Sequence, residues 1–153
     1  MKKNHSGGFT LIELLVVIAI IAILASLVLS AAGFVQKKGA RNRAEAEIAA
    51  LGAALESYKA DNGDYPTNND IYTKPVNNMN LVGALMPTNG STKVYFEFKT
   101  KFLTNGNYLD PFGSVYGYVY TNGSPNNGTN NYDLWSTAGD STGTKTNTWI
   151  KNW

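Results

Sequence analysis

The chain has 153 residues, no cysteine, one histidine and a formal net charge of +2. The missing cysteine excludes disulfides, thiol catalysis and thiolate metal sites, and the lone His5 precedes a long apolar run, so no imidazole remains beyond it for a triad, a metal ligand or a general base. Lys2 and Lys3 supply the charge excess; from Phe9 onward basic and acidic residues balance, which gives no electrostatic reason to bind nucleic acid.

The first element lies in SGGFTLIELLVVIAIIAILASLVLS, which starts at Ser6. No charged residue occurs from Leu14 to Val35. A helix over that stretch spans roughly 33 Å, enough for a bilayer, and its apolar residues fall all round rather than on one stripe. The rest of the chain is too small and polar to wrap such a helix. An ordinary secretory signal places small residues after its apolar core, whereas Gly7 and Gly8 come before this one. Cleavage at Gly8 would leave the span on the mature protein; an uncleaved signal anchor is the simpler alternative. Glu13 is the one charge near the start of the span, where a carboxylate costs a few kcal/mol.

Lys37, Lys38, Arg41 and Arg43 follow the span and outnumber Lys2 and Lys3, which on charge alone favours a cytoplasmic C-terminal domain. Those four continue a helix rather than form a loop. Through QKKGARNRAEAEIAALGAALESYKADNGDYP the pattern turns amphipathic, with Ala44, Ile48, Leu51, Leu55 and Tyr58 on one face. Arg41 with Glu45 and Arg43 with Glu47 are spaced to pair, and Asn62-Gly63 followed by Pro66 stops the helix. A helix from Phe9 to Asn62 would be about 80 Å long.

Beyond it, NLVGALMP at Asn80 to Pro87 reads as a helical turn. KVYFEFKT, with Val94, Phe96 and Phe98 alternating against Tyr95, Glu97 and Lys99, reads as a strand, as do SVYGYVYT and NYDLWST. The predicted fold is α+β, one long helix on a small antiparallel sheet. It divides into a leader (1–8), a membrane or filament-core half of the helix (9–35), an amphipathic half (36–63) and a C-terminal globular domain (64–153). The Asn-Gly pairs at Asn89, Asn122 and Asn127 are glycosylation sequons, but the dipeptide is a turn signal and is read as one. No Gly-rich phosphate loop or paired carboxylate spacing points to an enzyme. A filament subunit and an adhesive or substrate-binding module built on the many Tyr and Trp residues are the two classes left.

GGFTLIELLVVIAIIAILASLV resembles the class III signal of type IV prepilins and pseudopilins: a basic leader ending in Gly, then Phe, then Glu at the fifth mature position. The resemblance implies that a prepilin peptidase cuts between Gly8 and Phe9 and methylates the amine of Phe9. It implies that Glu13 pairs with the N-terminal amine of an adjacent subunit during assembly; the alternative is a protonated carboxyl at the headgroup boundary. Ser30 stands where many relatives carry Pro, so the helix should kink less there.

ALESYKADNGDYPT, LDPFGSVYGYVY (with Phe112 for the family's Trp), YDLWSTAGD and the terminal IKNW are most similar to the major pseudopilin of type II secretion systems. That implies a pseudopilus subunit anchored once in the bacterial inner membrane with its C-terminal domain in the periplasm. Its implied partners are further copies of itself, the peptidase, the inner-membrane assembly platform with its ATPase, and minor pseudopilins. A type IV pilus subunit serving adhesion, motility or DNA uptake is the alternative. The resemblance also implies a calcium ion in the C-terminal loop. Asp140 matches the first carboxylate and Asn147 the position of the second, while Lys145 adds an opposing charge. The alternative is an aspartate that closes a turn on backbone N–H groups.

Overall fold

The computed structural model describes residues 8–67, 78–88, 93–120, 126–128 and 130–153. The sequons at Asn89 and Asn122, and the leader apart from Gly8, lie outside them. The chain divides into two compact units, Met1–Lys38 and Gly39–Trp153.

Helix α1 (Leu11–Asn62) supplies all of the described helix in the first unit and enters the second. It starts two residues later than predicted and is unbroken through Ser30 and through Lys37–Arg43, so these basic residues do continue a helix. In the first unit its described side chains from Phe9 to Leu29 are exposed. One helix among the described residues is long and apolar enough to cross a membrane, and this is it.

In the second unit the predicted face of α1 is the buried one. Ala44, Ile48, Leu51 and Leu55 are buried and Tyr58 packs at the margin. Burying a Leu or Ile side chain stabilises by about 1.5–3 kcal/mol. The Arg41–Glu45 and Arg43–Glu47 pairs form at 3.2 and 3.5 Å; Arg41, Glu45 and Arg43 are exposed and Glu47 is largely buried, and as pairs four residues apart each adds about a few tenths of a kcal/mol. Asn62 donates its amide to the Tyr58 carbonyl at 2.9 Å, and Gly63, at φ +85°, ends the helix.

Helix α2 (Met79–Leu85) occupies the predicted helical turn and buries Leu81, Val82 and Leu85. Asn78, fully buried before it, donates its amide to the carbonyls of Tyr108 (3.1 Å) and Tyr116 (3.0 Å) and accepts the Tyr108 N–H (2.9 Å).

Lys93–Lys99 is not a strand. The N–H groups of Tyr95 and Phe96 both donate to one carbonyl, that of Leu85, at 2.8 and 3.2 Å, so no ladder can start there. The rings of Phe96 and Phe98 still turn inward, 4.8 Å apart, and Val94 faces out. A 3₁₀ turn at Thr100–Phe102 leads into a hairpin, β1 (Leu103–Thr104) and β2 (Asn107–Tyr108), turning on Asn105 (φ 49°) and Gly106 (φ 77°). The two positive φ values are those of a tight hairpin turn.

The main sheet is antiparallel in the order β3 (Gly117–Val119), β4 (Asp133–Ser136), β5 (Ile150–Lys151). Two of its strands lie inside predicted strand segments; the third is the terminal IKNW. Asn127, one of the Asn-Gly sequon asparagines, donates its backbone N–H to the buried Asp133 at 3.2 Å and its amide to the Tyr132 carbonyl at 2.7 Å, which is the turn role. Gly117 faces Trp135 across β3 and β4; a Cβ there would lie 2.0 Å from the indole. Before β3, Asp110 is buried, accepting the N–H groups of Phe112 (3.0 Å) and Ser114 (2.8 Å) and the Ser136 hydroxyl (2.5 Å). It thereby ties the LDPFG turn to β4.

Two predictions test this packing. Gly117→Ala overfills the sheet against a ring that has no room to move, and should destabilise the chain by at least about 1–3 kcal/mol in thermal melts. Burial raises the Asp110 carboxyl above the usual Asp range, despite the donors from Ser136, Ser114 and Phe112. The folded chain then holds that proton more tightly than the unfolded chain, so the contribution of Asp110 falls as pH rises from about 4 through the folded value. Asp110→Asn keeps the turn and should melt relatively later as pH rises. Asp110→Ala, which orphans two N–H groups at about 1–3 kcal/mol each, should melt earlier throughout.

Candidate functional site

Two regions hold the predicted site residues, and each belongs to its own unit. The first is the start of α1. Thr10 precedes the first helical residue, and Glu13 is the third. The Glu13 N–H donates to Thr10 Oγ1 at 3.3 Å. In return Glu13 Oε2 accepts the Thr10 backbone N–H at 2.8 Å and the Thr10 hydroxyl at 2.7 Å. This is a capping box: the N-cap side chain and the carboxylate three residues on satisfy each other's backbone donors. Both bonds that the carboxylate accepts fall on Oε2, so among the described residues Oε1 is left open to a donor from outside the chain. Around it Phe9, Leu11, Ile12, Leu14 and Leu15 are exposed. Thr10 is not among the residues the resemblance singles out; the Thr-x-x-Glu spacing is the signal that finds it.

Gly8 sits just before this cap. A Cβ built on it meets nothing within 4 Å. The fold itself therefore does not require glycine there.

The second region is the loop between β4 and β5. Asp140 lies in a cavity of about 370 Å³ lined by Ala138, Gly139, Ser141, Thr142, Lys145 and Thr148. Oδ1 accepts the Thr142 N–H at 3.0 Å and its hydroxyl at 2.6 Å; Oδ2 accepts the Lys145 N–H at 2.8 Å and the Trp149 indole N–H at 3.4 Å. The Thr142 hydroxyl and the Lys145 N–H, chiefly, hold this carboxyl far below the usual range. Asn147 is exposed and does not line the cavity, so the structure does not bring the two predicted calcium ligands together there. Among the described residues no three of His, Cys, Asp and Glu gather into a metal-binding group.

Trp149, which donates to Asp140, stacks on Trp135 with ring centres 6.1 Å apart and planes 5° apart, and Trp153 meets Trp135 edge-on. Arg41 donates to the Thr148 carbonyl at 2.9 Å, fastening the loop to α1 within the second unit. The described residues thus include a helix start with a carboxylate capped on one oxygen among apolar side chains, and a hydrogen-bonded loop closing a small sheet.

Comparison with known proteins agrees with both halves. Residues 3–29 match the prokaryotic N-terminal methylation motif, and residues 34–153 match the family described as type II secretion system (T2SS), protein G. The type II secretion system core protein G of Aeromonas hydrophila is 46% identical over 67 residues, covering 44% of this chain and 47% of that one. The core protein G of Klebsiella michiganensis is 42% identical over 79 residues, covering 49% of this chain and 56% of that one. The chain thus spans about half the length of these relatives. With the core protein G of Pseudomonas aeruginosa the match runs further, 31% identical over 123 residues and 77% of that protein. The capped apolar helix, the amphipathic continuation and the small antiparallel sheet are therefore those of a member of the type II secretion system protein G family, to which this chain belongs.

Proposed function

We propose that this chain is a structural, non-catalytic subunit of a type II secretion pseudopilus, polymerising through its N-terminal helix. In this reading prepilin peptidase hydrolyses the Gly8–Phe9 bond and the new Phe9 amine is methylated. The segment 9–35 stays in the inner membrane until assembly, and the C-terminal domain lies in the periplasm. Further copies, minor pseudopilins and the assembly platform with its ATPase are its partners.

The observation that carries the reading is the state of Glu13. It is the one charged residue from Phe9 to Gln36, in a stretch whose described side chains are exposed. Its cap donors offset part of the cost of a carboxylate in apolar surroundings. Its open Oε1 can then take the terminal ammonium of a neighbouring subunit, and pairing the two charges removes most of the remaining penalty. An apolar stripe alone would let two helices slide; one charge pair fixes their register, as single buried polar groups do in coiled coils.

Four outcomes test the reading. Native subunit should have the intact mass of a chain that begins at methylated Phe9, and a chain retaining Met1–Gly8 would refute the processing. Gly8→Val should accumulate uncleaved in the membrane with its C-terminal domain folded, because the fold leaves room for that side chain. Glu13→Ala and Glu13→Gln should insert and be cleaved but fail to yield sheared filaments, since an ammonium left unpaired in an apolar core costs about 3–5 kcal/mol. Thr10→Ala, which removes only the cap, worth about 1 kcal/mol, should reduce filament yield far less. Normal filaments from Glu13→Ala would end the pairing model.

A further inference from the structure

The family resemblance implies a calcium ion at Asp140, and the donor chemistry of this loop does not fit one. We infer that the loop between β4 and β5 is a metal-independent lock, in which Asp140 gathers protein N–H and O–H donors in the place a cation would take. The inference rests on the loop alone and stands whether or not the chain forms a filament.

Calcium is held by six to eight oxygen acceptors whose lone pairs point at the ion. Here the carboxylate, one hydroxyl and two carbonyls of the loop already accept donors from the protein. Four donors converge on the two oxygens of Asp140, which matches a carboxylate's capacity of about four. The Lys145 carbonyl accepts both the N–H (2.9 Å) and the hydroxyl (2.8 Å) of Thr148. The Thr148 carbonyl accepts the Arg41 guanidinium. The Thr142 hydroxyl gives its one proton to Asp140, so in its 2.7 Å contact with Thr144 it must be the acceptor, and its oxygen is engaged as well.

Charge points the same way. After Asp140 the sequence holds no further Asp or Glu, while Lys145 and Lys151 make the segment net positive. Lys145 itself lines the cavity. An arriving divalent ion would have to break four hydrogen bonds, next to a lysine, to gain one carboxylate. A protein lock needs none of this, and it has a distinct output: the Trp149 indole is held against Trp135 by its bond to Asp140, which positions the start of β5 one residue later.

The test uses the full-length chain in detergent micelles. Thermal melts followed by near-ultraviolet circular dichroism, which reads the Trp135–Trp149 stack, are compared in chelator and in millimolar calcium chloride. The lock predicts the same melting midpoint and the same tryptophan signal in both. Terbium, a calcium mimic whose emission Trp149 would sensitise from this distance, should give no saturable luminescence. Asp140→Asn, which turns an acceptor oxygen into a donor facing N–H groups, should lower the midpoint equally in the two solutions. A calcium-dependent rise of the wild-type midpoint, or saturable terbium emission from the wild-type protein that millimolar calcium displaces, would overturn the proposal, and both readings come from wild-type protein even if the variant does not fold.

Discussion

From Leu14 to Val35 aliphatic side chains surround one helix, and from Ala44 to Tyr58 only a single stripe of the same helix is apolar. A helix satisfies its own backbone hydrogen bonds, so it can pass between two solvents without an unpaired N–H, provided its side chains change with the surroundings. The change falls at Gln36 to Arg43, where the first basic residues after the span appear. This constraint sets the rest. The apolar surface of the first half is left for lipid or for other copies of the helix. The C-terminal domain must fold with what the stripe and its own small sheet can bury.

That second requirement explains the chemistry of the core. The core joins aliphatic residues of α1, α2 and the sheet to tyrosines, with Tyr65, Tyr108, Tyr116, Tyr118, Tyr120 and Tyr132 buried. A buried phenol must find a partner for its hydroxyl. Tyr116 donates to Glu47 and Tyr65 to Glu56, both on α1; Tyr118 donates to the Pro66 carbonyl and Tyr120 to Asp64, just past the end of α1. Each such bond adds about 1 kcal/mol and fixes an orientation that packing of smooth aliphatic groups would leave loose. Edge-to-face contacts, such as Tyr65 with Tyr132 at 4.8 Å, contribute on top of the area they bury. The domain is thus held as much by phenol geometry as by oil.

What the sequence reveals and what it hides follow a physical line. Features fixed within one turn of chain were legible: the apolar span, the buried stripe, the helix stop at Asn62-Gly63, the ion pairs four residues apart. KVYFEFKT misled because alternation reports side-chain direction, whereas a strand needs a free ladder, and the Leu85 carbonyl takes the two N–H groups that would begin it. The β1–β2 hairpin has strands of two residues each, too short for any periodicity, so its only mark is Asn105-Gly106. Asn78 carries no local signal at all. Its partners are carbonyls 30 and 38 residues further on, and only the folded chain brings them to it. Of the site residues, Gly8, Phe9 and Glu13 stand in one contiguous motif and are readable as such. The environment of Asp140 was not, because the identity of a carboxylate says nothing about which donors reach it.

Glu13 and Asp140 show what decides the role of such a carboxylate. Both are anchored by a threonine, Thr10 and Thr142, that offers a backbone N–H and a hydroxyl to the same oxygen. The difference lies in the second oxygen. Asp140 Oδ2 is taken by Lys145 and Trp149, so the group is saturated and its energy is committed to the shape of the loop. Glu13 Oε1 takes no donor among the described residues, and its surroundings are apolar side chains that cannot supply one. A half-satisfied carboxylate in a low-dielectric environment attracts a cation far more strongly than the same group in water, because Coulomb energy scales inversely with the effective dielectric constant. Saturation commits the Asp140 carboxylate to the shape of its loop; in the filament reading proposed above, the oxygen left open on Glu13 is the one that would receive a neighbour's ammonium.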